Sequence, residues 1–167
     1  VLIGITILKV MGLKPLPQTP LKGDYLRHDA LRLAQFLDIP FRYHGLTGVN
    51  SVAALRAFVL LKESDEGLAK AFAQRIFDRL WVRGLDITSA DAVVEEASTL
   101  NIDAKSLRKN IATDEAKDAL RQQVDAAIHA GVFGVPYFVV DGESFWGVDR
   151  MWMIEHWAKH HSWQPTR

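Results

Sequence analysis

The chain has 167 residues, about half of them apolar, with 20 basic and 20 acidic side chains and no cysteine, the length of one domain with room for a real core. Balanced charge gives no long-range field to recruit nucleic acid or an anionic membrane, and no apolar run approaches the ~20 residues of a membrane span. The lack of cysteine excludes, for this sequence, disulfide frameworks, cysteine-ligated zinc, cysteine nucleophiles and Cys-x-x-Cys exchange.

Val1-Leu-Ile-Gly-Ile5 reads as the end of a buried strand that runs into a short helical turn stopping at Gly12. With no basic n-region and no small-residue cleavage site it reads as folded core, and the missing initiator methionine suggests a sequence that begins inside a longer protein. Lys14-Pro-Leu-Pro-Gln-Thr-Pro20 is a proline-rich loop. Tyr25, Leu26, Asp29, Ala30, Leu33, Ala34 and Leu37 follow helical spacing until Ile39-Pro40 ends the helix. Residues 41–49 are irregular. Ser51 is the expected cap of a helix over residues 52–62, and Asp65-Glu66 start a long one through Leu68, Phe72, Ile76, Leu80 and Trp81. Thr88-Ser-Ala-Asp91 resembles a capping box. Asp103 opens a short helix, Thr113 caps a longer one through Leu120, Val124 and Ile128, and Gly131 falls at its C′ position.

The C-terminal stretch carries the most information. Val135-Pro136 leads into the apolar run Tyr137-Phe-Val-Val140, Asp141-Gly142 suits a type I′ turn, and Glu143-Ser-Phe-Trp146 returns. Gly147-Val-Asp149 then opens a helix with Met151, Ile154 and Ala158 on one face. A proline feeding a strand donates no ladder hydrogen bond. A cis bond there would leave the preceding backbone free to pair with an extended peptide. Helices gathered between an N-terminal strand and a C-terminal hairpin argue for an α/β domain with a helical insertion.

Several chemistries can be weighed from residue types alone. His156 and His160 stand at i, i+4, but no third ligand is evident and His-Glu-x-x-His is absent, so no metal is expected. There is no Gly-x-Ser-x-Gly elbow and no phosphate-binding glycine loop. The stripe Phe72, Ile76, Leu80, flanked by Phe77 and Trp81, suits a core and, as the alternative, an apolar pocket. Lys22 in Lys22-Gly-Asp-Tyr25 reads as a solvated lysine. Asp149 has two readings: a plain helix cap, or a carboxylate for a ligand ammonium beside a helix N-terminus that takes a carboxylate.

Gly131-Val-Phe-Gly-Val-Pro136, Phe138-Val-Val-Asp-Gly-Glu143 and Phe145-Trp-Gly-Val-Asp-Arg-Met151 resemble the C-terminal signature of the 2-hydroxychromene-2-carboxylate isomerases. These are grouped with kappa-class glutathione transferases in the DsbA-like branch of the thioredoxin fold. Leu2-Ile-Gly4, Lys9-Val-Met-Gly12, Pro20-Leu-Lys-Gly-Asp-Tyr25 and Trp81-Val-Arg-Gly-Leu-Asp-Ile87 follow in family order, so the resemblance covers essentially the whole chain. It implies one thioredoxin-like α/β domain formed by residues 1–21 and 112–167, with an all-helical insertion over about 22–111. It implies glutathione as cofactor. Val135, before the family's cis proline Pro136, would pair with the cysteinyl backbone; Val148 and Asp149 would hold the γ-glutamyl end; Lys22 would neutralise the glycyl carboxylate. Phe77 and Trp81 are the candidates for a substrate pocket.

The sequence departs from the family pattern at two places. Leu13 stands near where relatives carry an asparagine ligand. The family's first strand and its Ser-Pro-Tyr helix start are missing, so the expected catalytic serine would lie before Val1. The implied activity is glutathione-dependent cis–trans isomerisation of 2-hydroxychromene-2-carboxylate or a similar aromatic ring-cleavage product. A kappa-type transferase and a non-catalytic glutathione- or peptide-binding protein are the alternatives. The implied setting is cytoplasmic aromatic catabolism, with a small aromatic substrate as partner, no nucleic acid, no membrane, and homodimerisation as in relatives.

Overall fold

The computed structural model describes residues 8–15, 18–42 and 49–164. The strand expected at the N-terminus therefore lies outside the described residues. Residues 8–10 form a helical turn closed by Leu13 N–H to Leu8 O at 2.8 Å, with Gly12 at φ 66°. Seven longer helices and one hairpin follow: α1 Lys22–Phe36, α2 Val52–Ser64, α3 Glu66–Phe77, α4 Ala90–Ser98, α5 Ala104–Asn110 and α6 Asp114–His129. Then come β1 Tyr137–Val140, β2 Glu143–Trp146 and α7 Met151–His160. A π-helical turn, Asp78–Val82, extends α3, and a 3-10 turn, Val148–Arg150, introduces α7.

Most helix boundaries follow capping chemistry. Asp65, Asp103 and Thr113 accept hydrogen bonds from the amides of Leu68, Lys105 and Ala116. At the end of α6, Gly131 N–H reaches Ile128 O and Val132 N–H reaches Ala127 O, a Schellman closure that needs the φ of 75° at Gly131. Two starts differ from the sequence reading. Ser89 caps α4 through Ala92 N–H, while the Thr88 hydroxyl bonds Asp86 instead of forming the expected box. At α2 the Ser51 side chain makes no capping bond: its backbone, at φ −95° and ψ 12°, lies outside the extended region of a capping residue, and Asn50 Oδ1 accepts Val52 N–H at 3.0 Å.

The core is helical. α2 packs on α3, α4 and α6, and α4 packs on α5. Phe72 sits at the centre with Ala69, Ile76, Val93 and Ala97, so its stripe does serve as core. Val59 joins Leu120 and Val124 on the opposite side of α2, which docks α6. The hairpin contributes one buried side chain, Phe145, and α7 none. Its expected face is accordingly half-buried at Ile154 and exposed at Met151 and Ala158.

One buried charge ties the bundle together. Glu96 is 1 % exposed and receives Arg79 at 2.9 Å and Arg83, with Arg75 at 3.4 Å. Arginines four apart drift roughly 40° per step around a regular helix. The wider π turn between the second and third turns them back, so all three reach one carboxylate. Burial would raise the Glu96 carboxyl, but hydrogen bonds from Arg83 and Arg79 and the charges of Arg83 and Arg75 outweigh it and hold the group below its ordinary range.

Candidate functional site

The loop after α6 and the entry to α7 are brought together by the hairpin. β1 and β2 pair antiparallel in the register Tyr137 to Trp146 through Val140 to Glu143. Asp141 at φ 51° and Gly142 at φ 84° make the two-residue turn with both residues left-handed, as a type I′ hairpin requires. At the open end, Gly147 N–H donates to Pro136 O at 3.0 Å. That bond sets the loop residues 131–136 beside the turn Val148–Arg150.

The Val135-Pro136 bond is cis. Val135 is 52 % exposed, and its N–H and C=O make no hydrogen bond among the described residues. An exposed, unpaired donor and acceptor on one residue can accept an extended backbone as an added strand partner. Aromatic rings wall this spot. Phe133 meets Tyr137 at 5.5 Å and Trp146 at 5.2 Å, both edge-on, and a Cβ on Gly134 would collide with the Trp146 indole. Only glycine lets that ring lie against the loop.

Across the Gly147–Pro136 bond stands Asp149. Its carboxylate caps no helix, contrary to the simpler of its two sequence readings; Arg150 Nη1 donates to Asp149 Oδ2 at 2.7 Å. The other oxygen, Oδ1, folds back over Gly147. Gly147 adopts φ 96° and ψ 152°, a combination open essentially only to glycine. Val148 is exposed beside it. Val135, Pro136, Val148 and Asp149 thus share one surface: an unpaired backbone on one side, and a carboxylate with helix-entry amides on the other.

Lys22 lies elsewhere, as the exposed first residue of α1, with no ion pair among the described residues. Leu13 is exposed at the end of the N-terminal helical turn. Phe77 lines a cavity of about 220 Å³ between α2, α3 and the π turn, together with Phe58, Phe72, Ile76, Leu80 and Ser51. Trp81 instead stacks on Phe41, with centroids 5.6 Å apart. His156 and His160 do lie together, centroids 4.6 Å apart, but His156 Nε2 is engaged with Ser162 O at 3.0 Å. Among the described residues no three His, Asp or Glu side chains gather as a metal ion would need, and no helix is long and apolar enough to cross a membrane.

Three contributors escaped the sequence reading. Gly147 carried the signal of a glycine directly before a helix start, and Gly134 that of a glycine between two aromatics. The pairing of Arg150 with its neighbour has no sequence signature, because adjacent residues rarely face each other.

The family profile for the DSBA-like thioredoxin domain matches residues 4–157. Human glutathione S-transferase kappa 1 is 32 % identical over 163 residues, which cover 90 % of this chain and 72 % of that protein. A 2-hydroxychromene-2-carboxylate isomerase of Pseudomonas putida is 32 % identical over 136 residues, 80 % of this chain and 64 % of that one. A solved 2-hydroxychromene-2-carboxylate isomerase superposes with a TM-score of 0.80 at 23 % identity, covering 94 % of this chain and 76 % of that chain, a likeness of fold.

Proposed function

The chain belongs to the DSBA-like thioredoxin family, and from that premise we propose that it binds glutathione across Val135 and Asp149 and serves glutathione-dependent isomerisation of a conjugated aromatic ring-cleavage product. The observation that carries the reading is the exposed, unpaired backbone of Val135 set beside the Asp149 carboxylate. A γ-glutamyl tripeptide fits the donor set. Its central residue presents one N–H and one C=O, matching those of Val135 in an antiparallel pair. Its α-ammonium suits Asp149, and its α-carboxylate suits the amides at the Val148–Arg150 turn.

When bound, the tripeptide supplies a thiol able to add reversibly to a conjugated system, a nucleophile this cysteine-free chain does not itself provide. The protein's part is placement. Val135 fixes the cysteinyl backbone, Gly147 leaves room for the Asp149 carboxylate to lie close, and the packed rings of Phe133 and Trp146 border one flank. Lys22 is assigned to the glycyl carboxylate and Phe77 and Trp81 to the aromatic substrate, with both rings near the π turn.

Kappa-type conjugation is the second reading, favoured by the longer match to the human transferase than to the Pseudomonas isomerase. Both share the tripeptide site and part company at the second substrate. Calorimetry tests the shared site: Asp149→Ala is expected to weaken glutathione about ten- to a hundredfold, the worth of a hydrogen-bonded charge. Unchanged affinity in that variant, or no binding by the parent protein, refutes the assignment. Turnover of the ring-cleavage product without glutathione consumption then selects isomerase over transferase.

A further inference from the structure

Among the described residues, the cavity between α2, α3 and the π turn is lined by one polar side chain, and that group is out of place. Ser51 is 5 % exposed and precedes α2, where a serine normally turns its oxygen to a helix amide. Here it makes no such bond, and Ser51 sits at φ −95°, ψ 12°, outside the extended backbone of an ordinary cap. Its hydroxyl makes no hydrogen bond among the described residues and lines the cavity. A hydroxyl that faces an apolar cavity without a protein partner is free to donate to a ligand there.

We propose that this cavity is a binding site for a neutral molecule of one or two rings bearing a single oxygen acceptor, held by the Ser51 hydroxyl. Phe58, Phe72 and Phe77 offer ring faces and edges suited to an aromatic body. The volume of about 220 Å³ exceeds the roughly 150 Å³ at which an apolar cavity takes benzene. Acceptors are favoured over donors because Ser51 stands at the positive end of a 13-residue helix. A charged group is not expected inside: among the described residues no lining side chain is ionisable, so a carboxylate that entered would lose its hydration unpaired. The substrate assigned to Phe77, a residue 46 % exposed, would keep its carboxylate outside the cavity. The site does not depend on the tripeptide reading, and its test is run without glutathione.

Acetophenone and its hydrocarbon isostere α-methylstyrene, with benzoate as the charged analogue, are titrated by calorimetry and ligand-observed NMR. Saturable binding of the two neutral probes and none of benzoate is expected. Ser51→Ala is expected to weaken acetophenone about three- to tenfold, the range of one net hydrogen bond, and to leave α-methylstyrene unchanged. Ala73→Leu, which fills the cavity, is expected to abolish both. The site is refuted by no saturable binding of either neutral probe to the parent protein. It is equally refuted by benzoate binding as tightly as acetophenone, or by Ser51→Ala weakening both neutral probes alike. The parent-protein titrations decide the matter even for a variant that fails to fold.

Discussion

Glu96→Gln is expected to lower the unfolding free energy by about 3 kcal/mol, the lower end of the ~3–5 kcal/mol typical of a buried pair that loses one partner. The lower end applies because Arg75 and Arg83 are 39 % exposed and can turn to solvent once released. Arg79 cannot follow. Its side chain is 11 % exposed and tied by Nε to Asp86 O at 2.8 Å, so it would stay buried with Glu95 as its remaining carboxylate. Urea unfolding followed by circular dichroism measures the loss. A change under 1 kcal/mol would mean that the arginines, not the carboxylate, hold the π turn.

The same substitution carries a pH signature. The folded-state Glu96 pKa is lowered relative to an unfolded value of ~4.3. Its stabilisation is therefore complete above that value and is lost as pH falls through the lower folded one. The stability gap between parent and Glu96→Gln is expected to be flat from neutrality down to mildly acidic pH and to close in stronger acid. A gap that closes near neutral pH would point to another group.

Gly147→Ala is the second large effect, and it joins stability to function. The φ of 96° and ψ of 152° cost a side-chain-bearing residue about 1–3 kcal/mol. The added methyl also collides with Asp149 Oδ1, so the carboxylate must leave its place. Glutathione affinity is expected to fall at least tenfold. Gly142→Ala separates the two causes: its φ is 84°, yet a Cβ there meets nothing within 4 Å. It should lose stability comparably and keep affinity. Equal affinity losses in both variants would show that hairpin integrity, not the seat of Asp149, governs binding.

The features that could be read from the chain were the local ones. Asp65, Asp103, Thr113, Gly131 and Asp141-Gly142 act through backbone within a turn of themselves, so their chemistry is written in consecutive residues. Ser51 misled because a cap needs extended backbone as well as an oxygen, and the φ of −95° and ψ of 12° found there are not written in the residue type. The Glu96 cluster could not be read, since Arg75, Arg79 and Arg83 look like a solvated face until α4 is packed across them. The π turn that aligns them has no composition of its own. On the site side, residues 131–149 were legible as a unit because the hairpin is short; the distance from there to Lys22 depends on packing between remote elements.

The uneven distribution of the core has a consequence for motion. Both apolar clusters are built from helices α2 to α6 and the segments joining them, whereas the hairpin buries Phe145 alone and α7 buries nothing. Amide hydrogens of Tyr137–Val140, Glu143–Trp146 and Met151–His160 should exchange through openings that leave the helical bundle closed, as a separate and softer foldon. Val135 lies just before that foldon and Asp149 within it, between the hairpin and α7, so the two flank the hairpin. A ligand bridging them would slow exchange across the whole hairpin, including amides it never touches, and part of its affinity would be spent on that quieting.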